Sequence, residues 1–305
     1  LARLHPGELL VAENLAQEDL VQHALGGREG VITSLQASQF DSSRAERRLT
    51  EMLKVAALDA YGTFSRVELA AAGALVDYLE LTQVGRMPVM KAPKQIRTGT
   101  AMAMDAATRA NLELTRTMSG DAKGALLATL DRTVTGPGAR VLAERLNAPP
   151  TQVSQIHRRQ DALALLLEDV HLRADLRSAL KAVPDMARAL SRLSLGRGGP
   201  RDLAAMKDGL YAAHHIASRL GQVSKASSQA APSILDLPEE LQIIHEAINN
   251  TAASLVDLML NALSADLPLL ARDCGFIAKG YNPPLDGCRA LRNQSRQSGT
   301  SLQIN

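Results

Sequence analysis

Histidine, serine and carboxylate side chains are all present in the chain, and hydrolytic or metal-dependent chemistry would need them at defined spacings. His214 and His215 are adjacent, so on a helix they point to different faces, and His245 forms no H-x-x-x-H or H-E-x-x-H pair with either of them. No serine lies in a G-x-S-x-G turn. We therefore interpret the histidines as ordinary core or surface residues and assign no catalytic or metal-ligating residue.

The two cysteines, Cys274 and Cys288, are 14 residues apart. This spacing matches no C-x-x-C metal site, and two cysteines are too few for a disulfide framework in a chain of 305 residues. The sequence shows no arrangement of basic neighbours that would activate either thiol. We interpret both as reduced, structural thiols of a cytosolic protein.

Two sets of arginines could contact phosphate groups, because basic stripes on helices supply nonspecific affinity for nucleic acid. The sets are Arg44, Arg47 and Arg48, and then Arg188, Arg192, Arg197 and Arg201. Within the second set, Gly196–Gly199 before Pro200 is similar to a phosphate-binding turn, but it lacks a preceding strand and a G-K-[ST] ending. We predict a turn between two helices there, favour solvated faces or interdomain contacts for the arginines, and assign no DNA-contact residue.

The composition favours helices and excludes an all-β fold, since 46% of residues are hydrophobic and only 2% are aromatic. The length suggests about two domains. A net charge of +2 provides no global field for nucleic acid or a membrane surface. The sequence has no apolar run of membrane-spanning length, and it starts without Met or a signal peptide, so we expect it to begin inside a longer protein.

Hydrophobic periodicity predicts an α/β segment at the start of the chain. Short apolar runs at Glu8–Val11 and Gly30–Leu35 flank a helix-like stretch, which is a β-α-β pattern. From Arg44 the period becomes helical, with one predicted stripe over Leu49, Met52, Leu53, Ala56 and Ala60. Ser65 and Glu68 form a capping box, and the helix behind it has a predicted buried face of Val67, Ala71, Ala74, Leu75, Tyr78 and Leu79.

Residues 85–100 combine glycine, two prolines and basic residues with little periodicity, which predicts a domain boundary near residue 98. Nearly everything beyond it is predicted to be helical. The predicted helix starts are Asp105 or Thr108, Thr135, Thr151, Pro184 and Pro200. The helix that starts at Thr151 has a predicted stripe of Val153, Ile156, Gln160, Leu163 and Leu167. Residues 221–236 are predicted to form an exposed loop. One long amphipathic helix is predicted to follow over Pro238–Leu263.

Four stretches of the chain resemble the MutS family of bacterial DNA mismatch-repair proteins. They are Met104–Leu114 (MDAATRANLEL), Leu130–Leu142 (LDRTVTGPGARVL) with Ile156–Gln160, Leu190–Leu203 (LSRLSLGRGGPRDL), and Gly280–Asn282 with Leu285, Asp286 and Arg289. Their order and spacing fit from about Leu1 to Gln297, so the resemblance covers nearly all of the chain. One departure is Arg145-Leu146, where the family usually has Trp-Leu.

The resemblance implies a mainly α fold, in which a helical lever or core domain of crossed long helices follows a remnant of an α/β connector domain. The implied divisions are 1–98 for the connector, 99–297 for the lever, and 298–305 as the first strand of a clamp domain. Relative to the family pattern, that strand follows sooner than expected.

The same resemblance implies a full-length DNA-dependent ATPase that uses ATP and Mg, binds mismatched double-stranded DNA as a homodimer and works with a MutL-type partner in the cytoplasm, away from membranes. This chain contains neither the G-x-x-x-x-G-K-[ST] phosphate loop nor an F-x-E mismatch-reading motif. We therefore expect a noncatalytic fragment, without a nucleotide site or cofactor, that couples the two ends of the protein. The alternatives are a general helical protein-interaction scaffold and a hydrolase with its histidines and carboxylates in a helical pocket.

Overall fold

The computed structural model describes residues 3–4, 6–25, 31–84, 87–95, 99–226, 237–251 and 253–302. The chain divides into two compact units, the first covering Leu1–Thr133 and Pro137–Ile156, and the second Val134–Gly136 and His157–Asn305. The boundary predicted near residue 98 falls within the first unit and remains a prediction about domain organisation. No helix in the described part of the chain is both long and apolar enough to span a membrane.

The first unit begins with the predicted β-α-β arrangement, which is confirmed. Strands β1 (Leu9–Ala12) and β2 (Ile32–Leu35) are parallel, with Leu9 opposite Ile32, and α1 (Asp19–Leu25) lies between them in the chain. Ala12 and Leu35 are buried at the ends of the two strands. A parallel pair requires a crossover connection, and α1 forms part of it.

Helices α2 (Ser42–Leu53) and α3 (Arg66–Thr82) form the core of this unit. Asp41 accepts a hydrogen bond from the Arg44 amide at the start of α2, and the predicted Ser65–Glu68 capping box is present at the start of α3. The core consists of Leu49, Leu58 and Val76, with Met52, Phe64 and Leu69 among the residues packed around it.

Two sequence predictions for this helix pair are wrong. The stripe predicted as far as Ala60 stops early, because Lys54 adopts a left-handed conformation (φ 55°, ψ 45°) and ends α2 at Leu53. On α3, Val67 is 78% exposed and Leu75 is 44% exposed. The buried residues are instead Gly73, Ala74, Val76 and Asp77, so only Ala74 of the predicted face is correctly placed in the core.

Three helices follow: α4 (Ala106–Asn111), α5 (Leu126–Leu130) and α6 (Gly136–Asn147), which belongs to the first unit from Pro137 onward. Asp105 caps α4 as predicted, because its carboxylate accepts the Thr108 amide hydrogen at 2.6 Å. The hydrogen bond also holds the pKa of Asp105 below its usual value. Helix α6 starts directly after Thr135, and Pro149 and Pro150 follow its end.

Seven helices make up the remaining described chain: α7 (Val153–Glu168), α8 (Val170–Lys181), α9 (Met186–Ser194), α10 (Pro200–Ala226), α11 (Glu239–Asn249), α12 (Ala253–Ala262) and α13 (Pro283–Leu302). The central element is α10, with 27 residues and a length of about 40 Å at about 1.5 Å per residue. Helices α8, α9, α11 and α12 all contact it. Ala162, Leu220, Leu237 and Leu241 form the buried core.

Three predictions for this part of the chain are corrected. Helix α10 continues to Ala226, into the segment predicted as a loop, and residues 227–236 lie outside the described residues. The single helix predicted over Pro238–Leu263 is two helices, α11 and α12. The clamp strand predicted from residue 298 is wrong for 298–302, because α13 continues through these residues; 303–305 are outside the described chain.

Candidate functional site

The first set of arginines lies on α2 and faces carboxylates of α3. Arg48 Nη1 is 2.5 Å from Asp77 Oδ1, its other terminal nitrogen pairs with Glu80, and Arg44 Nη2 is 3.7 Å from Asp77 Oδ2. The Asp77 side chain is only 7% exposed. A carboxylate removed from water in this way needs a cationic partner, so Arg48 has a structural role between the two helices.

These arginines also line a groove of about 530 Å³ on the α2–α3 pair. The other lining residues are Arg47, Glu51, Met52, Val76, Glu80 and Met87. Two glutamates therefore offset two of the three arginine charges, and Met52, Val76 and Met87 add an apolar part to the lining. Such a surface attracts a phosphodiester only weakly, and the assignment of these arginines to solvated faces or interdomain contacts stays a prediction.

In the second set, the arginines flank the turn between α9 and α10. Arg192 Nε donates to Asp202 Oδ1 at 2.9 Å, and Asp202 Oδ2 accepts the Gly199 amide hydrogen at 3.0 Å. The chain's own carboxylate thus occupies an amide that a phosphate would need at this helix start. The turn joins two helices, as predicted, and its geometry does not favour phosphate binding.

The Asp202 carboxylate makes the stabilisation provided by this turn depend on pH. Hydrogen bonds from Arg192 and Gly199 hold the pKa of Asp202 below its usual value of 3.8. A depressed pKa stabilises the fold above pH 3.8, and this stabilisation is lost as pH falls through the folded-state value. We expect Asp202→Asn to lower the free energy of unfolding by about 1 kcal/mol at pH 7 and by much less near pH 3.

Urea unfolding at both pH values measures the loss. Asp266→Asn is the matched control, because Asp266 is exposed and should change stability little at either pH. An Asp202→Asn loss of the same size at pH 7 and pH 3 would show that the ionised carboxylate is not the stabilising form.

The histidines form no metal site in the described part of the chain, where no group of three or more His, Cys, Asp or Glu side chains could hold an ion. His214 Nδ1 is 2.9 Å from the Leu210 carbonyl one turn earlier in α10. His215 lines a separate groove with Asp175, Asp208 and Tyr211. The two neighbours thus face different surroundings, as their adjacency on a helix predicts.

The two cysteines are free and exposed, but they are not isolated from each other. Both line one pocket of about 220 Å³ between the loop that precedes α13 and α13 itself. Arg289 and Arg292 line the same pocket. Arg289 and Arg292 follow Cys288 closely in the sequence, but the sequence does not show that Cys274 lines the same pocket.

Two protein-family models match this chain, one in each of its two main parts. The family model for MutS domain III matches residues 107–303, and the model for MutS domain II matches residues 1–91. The chain belongs to the MutS family. Residue 98, near which a domain boundary was predicted, lies between the two matches.

Curated MutS relatives agree with this assignment. The chain is 47% identical to the DNA mismatch repair protein MutS of Paracoccus denitrificans over 298 residues, which cover 97% of the chain and 32% of the relative. It is 45% identical over 304 residues to the MutS of Rhodopseudomonas palustris strain BisB18, and 43% identical over 304 residues to that of Nitrobacter winogradskyi. The chain spans about a third of the length of these relatives.

The MutS-like motifs occupy helix starts and turns in the structure. In the Leu130–Leu142 stretch, Asp131 Oδ1 accepts hydrogen bonds from both the amide (2.8 Å) and the hydroxyl (2.7 Å) of Thr133, which lowers the pKa of Asp131. This is a side-chain turn that shapes the approach to α6. Arg145, at which the sequence departs from the expected family pattern, is exposed on α6.

One residue of the first motif was missed as a structural anchor. Arg109 is 8% exposed, and its Nη1 donates to the backbone carbonyl of Asn147 at 2.9 Å and to the Asn147 side-chain oxygen at 3.0 Å. It therefore ties α4 to the last residue of α6. The only sequence signal is indirect: Arg109 lies on a short helix with a strong cap at Asp105.

Proposed function

We propose that this chain is the noncatalytic connecting part of a mismatch-recognition ATPase of DNA mismatch repair, and that it couples the DNA-binding end of the protein to the ATPase end. The observation that supports this most directly is that domain II and domain III of MutS account for residues 1–91 and 107–303. The relatives that match nearly the whole chain are named DNA mismatch repair protein MutS.

The helical architecture suits a coupling role. A helix keeps its backbone hydrogen bonds internal, so α10, which is about 40 Å long, can move as one rigid body. Its contacts with α8, α9, α11 and α12 link a change at one part of the unit to the others. Coupling of this kind requires no catalytic group in the chain itself.

Membership of the MutS family supports a proposal about the partners of the full-length protein. We propose that the full-length protein binds ATP with Mg, recognises mispaired double-stranded DNA as a homodimer, engages a MutL-type partner and acts in the cytoplasm. We expect the chain's own contribution to DNA binding to be small, because Arg48 and Arg192, one in each arginine set, are paired with carboxylates.

The test uses two proteins, this chain and the Paracoccus relative carrying this chain in place of its matching segment. For the chain alone we expect no ATP hydrolysis, and weak DNA binding that falls with salt and does not distinguish mismatched from matched duplexes. Fluorescence titration and a phosphate-release assay measure both. A clear preference of the chain alone for the mismatch would contradict the proposed division of roles.

The chimeric protein tests the coupling itself. We expect it to hydrolyse ATP, to bind mismatched DNA and to release it on ATP addition to the same extent as the parent relative measured beside it. The parent is the matched control. A chimera that folds, binds the mismatch and hydrolyses ATP, yet no longer changes its DNA affinity with nucleotide, would refute the coupling role and favour a general interaction scaffold.

A further inference from the structure

Both cysteines of the chain face one small, mostly apolar pocket. Cys274 lies in the loop before α13, Cys288 lies on the second turn of α13, and Phe276, Ile277 and Leu285 complete the apolar wall. The pocket volume is about 220 Å³, and both thiols are exposed to solvent. A reagent that binds in this pocket therefore contacts a lining that includes both cysteines.

The loop and the helix are fastened together beside the thiols. Arg289 Nη2 donates to the Ile277 carbonyl at 3.0 Å, and its Nη1 donates to Asp286 Oδ1 at 3.1 Å. The Cys274 thiol itself contacts the Arg272 carbonyl at 3.4 Å. Arg289 thus holds the Cys274 loop against the helix that carries Cys288, which keeps the two thiols on the same pocket.

We propose that this pocket is a dithiol site that reacts with anionic low-molecular-weight disulfides such as glutathione disulfide. One cysteine thiolate attacks a sulfur of the reagent, so that a mixed disulfide forms and one glutathione thiolate leaves. The second cysteine then attacks the mixed disulfide, which releases the second glutathione and leaves a Cys274–Cys288 disulfide. In the balanced exchange, two protein thiols are oxidised while one glutathione disulfide is reduced to two thiols.

The charge of the pocket selects the reagent. Arg292 lines the pocket and has no ion pair within the described part of the chain, whereas Arg289 is paired with Asp286. An exposed guanidinium attracts carboxylates, which glutathione disulfide carries and a neutral disulfide lacks. Arg292 therefore favours the anionic reagent during the first exchange step. The proposal requires neither DNA nor nucleotide, so it is independent of the proposed function.

The experiment treats the folded chain with glutathione disulfide and follows free thiols, intact mass and cysteine-containing peptides. We expect the original chain to lose both thiols, keep no glutathione and yield a Cys274–Cys288 cross-linked peptide. Cys274→Ser and Cys288→Ser should each keep one glutathione adduct, which a reducing agent removes. Circular dichroism shows whether each variant is folded.

Arg292→Gln tests the selection. Its reaction with glutathione disulfide should be slower by about threefold to fivefold, as expected for loss of one exposed charge contact, while its reaction with neutral hydroxyethyl disulfide should be unchanged. Two stable adducts on the original chain without a cross-link, or two unreacted thiols, would overturn the dithiol site. Equal slowing with both reagents would overturn the role of Arg292.

Discussion

Gly73→Val is expected to lower the free energy of unfolding of the first unit by at least about 3 kcal/mol, at or beyond the upper end of overpacking costs. Gly73 lies where α3 crosses α2. A Cβ atom at this position would overlap the Cβ of Ala45 and lie 2.7 Å from its Cα. The obstacle is backbone rather than the end of a flexible side chain, so the helices must separate to accept the new methyl groups.

Urea unfolding followed by circular dichroism, with hydrogen exchange of the α2 and α3 amides to localise the effect, measures the loss. Gly287→Ala is the matched control, because Gly287 is also helical but a Cβ atom added there would meet nothing within 4 Å outside the backbone of its own helix. It should be neutral or stabilise α13 by up to about 1 kcal/mol. Partial recovery of the stability lost in Gly73→Ala when Ala45→Gly is added would confirm the contact. Equal changes in the free energy of unfolding for Gly73→Ala and Gly287→Ala would contradict it.

The sequence predicts local structure well where the signal lies within a few residues. The β-α-β start, the Ser65–Glu68 capping box and the Asp105 cap all depend on neighbours in the chain, and all three are present in the structure. The turn between helices before Pro200 depends on the same kind of local information. These features require no knowledge of what packs against them.

Helix faces were harder to predict, because periodicity does not identify the neighbour. Helix α3 has apolar residues on several sides, and the buried side is the one on which Gly73 allows α2 to come close. On α7, the predicted stripe includes Leu163 and Leu167, which are 59% and 70% exposed, while Ala162 is buried. In both cases a small residue is buried on the packed side, and a periodicity argument based on large apolar side chains does not identify it.

The charged and thiol clusters could not be predicted from spacing. Arg48 and Asp77 are on different helices, and no local motif pairs them before α2 and α3 are packed. Cys274 and Cys288 share a pocket because the chain reverses between the Cys274 loop and α13. The family resemblance, in contrast, was carried by short motifs that can be identified in the sequence without knowledge of their contacts.

Arg109→Met is expected to lower the free energy of unfolding by about 2 kcal/mol. The last carbonyls of a helix have no partner within the helix, and at Asn147 the buried guanidinium of Arg109 supplies one at 2.9 Å. Methionine fills a similar volume without any donor, so the Asn147 carbonyl loses a charge-assisted hydrogen bond. The free energy of unfolding of Arg109→Lys should lie between those of the original chain and Arg109→Met, because an ammonium group cannot reproduce the planar fork of the guanidinium.

Denaturant unfolding with a double-mutant cycle to Asn147→Ala separates the two hydrogen bonds. The Arg109 Nη1 bond to the backbone carbonyl survives Asn147→Ala, whereas the bond to the Asn147 side chain does not, so the coupling should be only part of the Arg109→Met loss. Arg116→Met is the control, since exposed Arg116 also donates to a backbone carbonyl, that of Gly120. Arg116→Met should cost no more than about 0.5 kcal/mol, because water can replace its hydrogen bond. Equal losses at Arg109 and Arg116 would mean that burial adds nothing to the anchor, and that α4 and α6 are held together by apolar contacts instead.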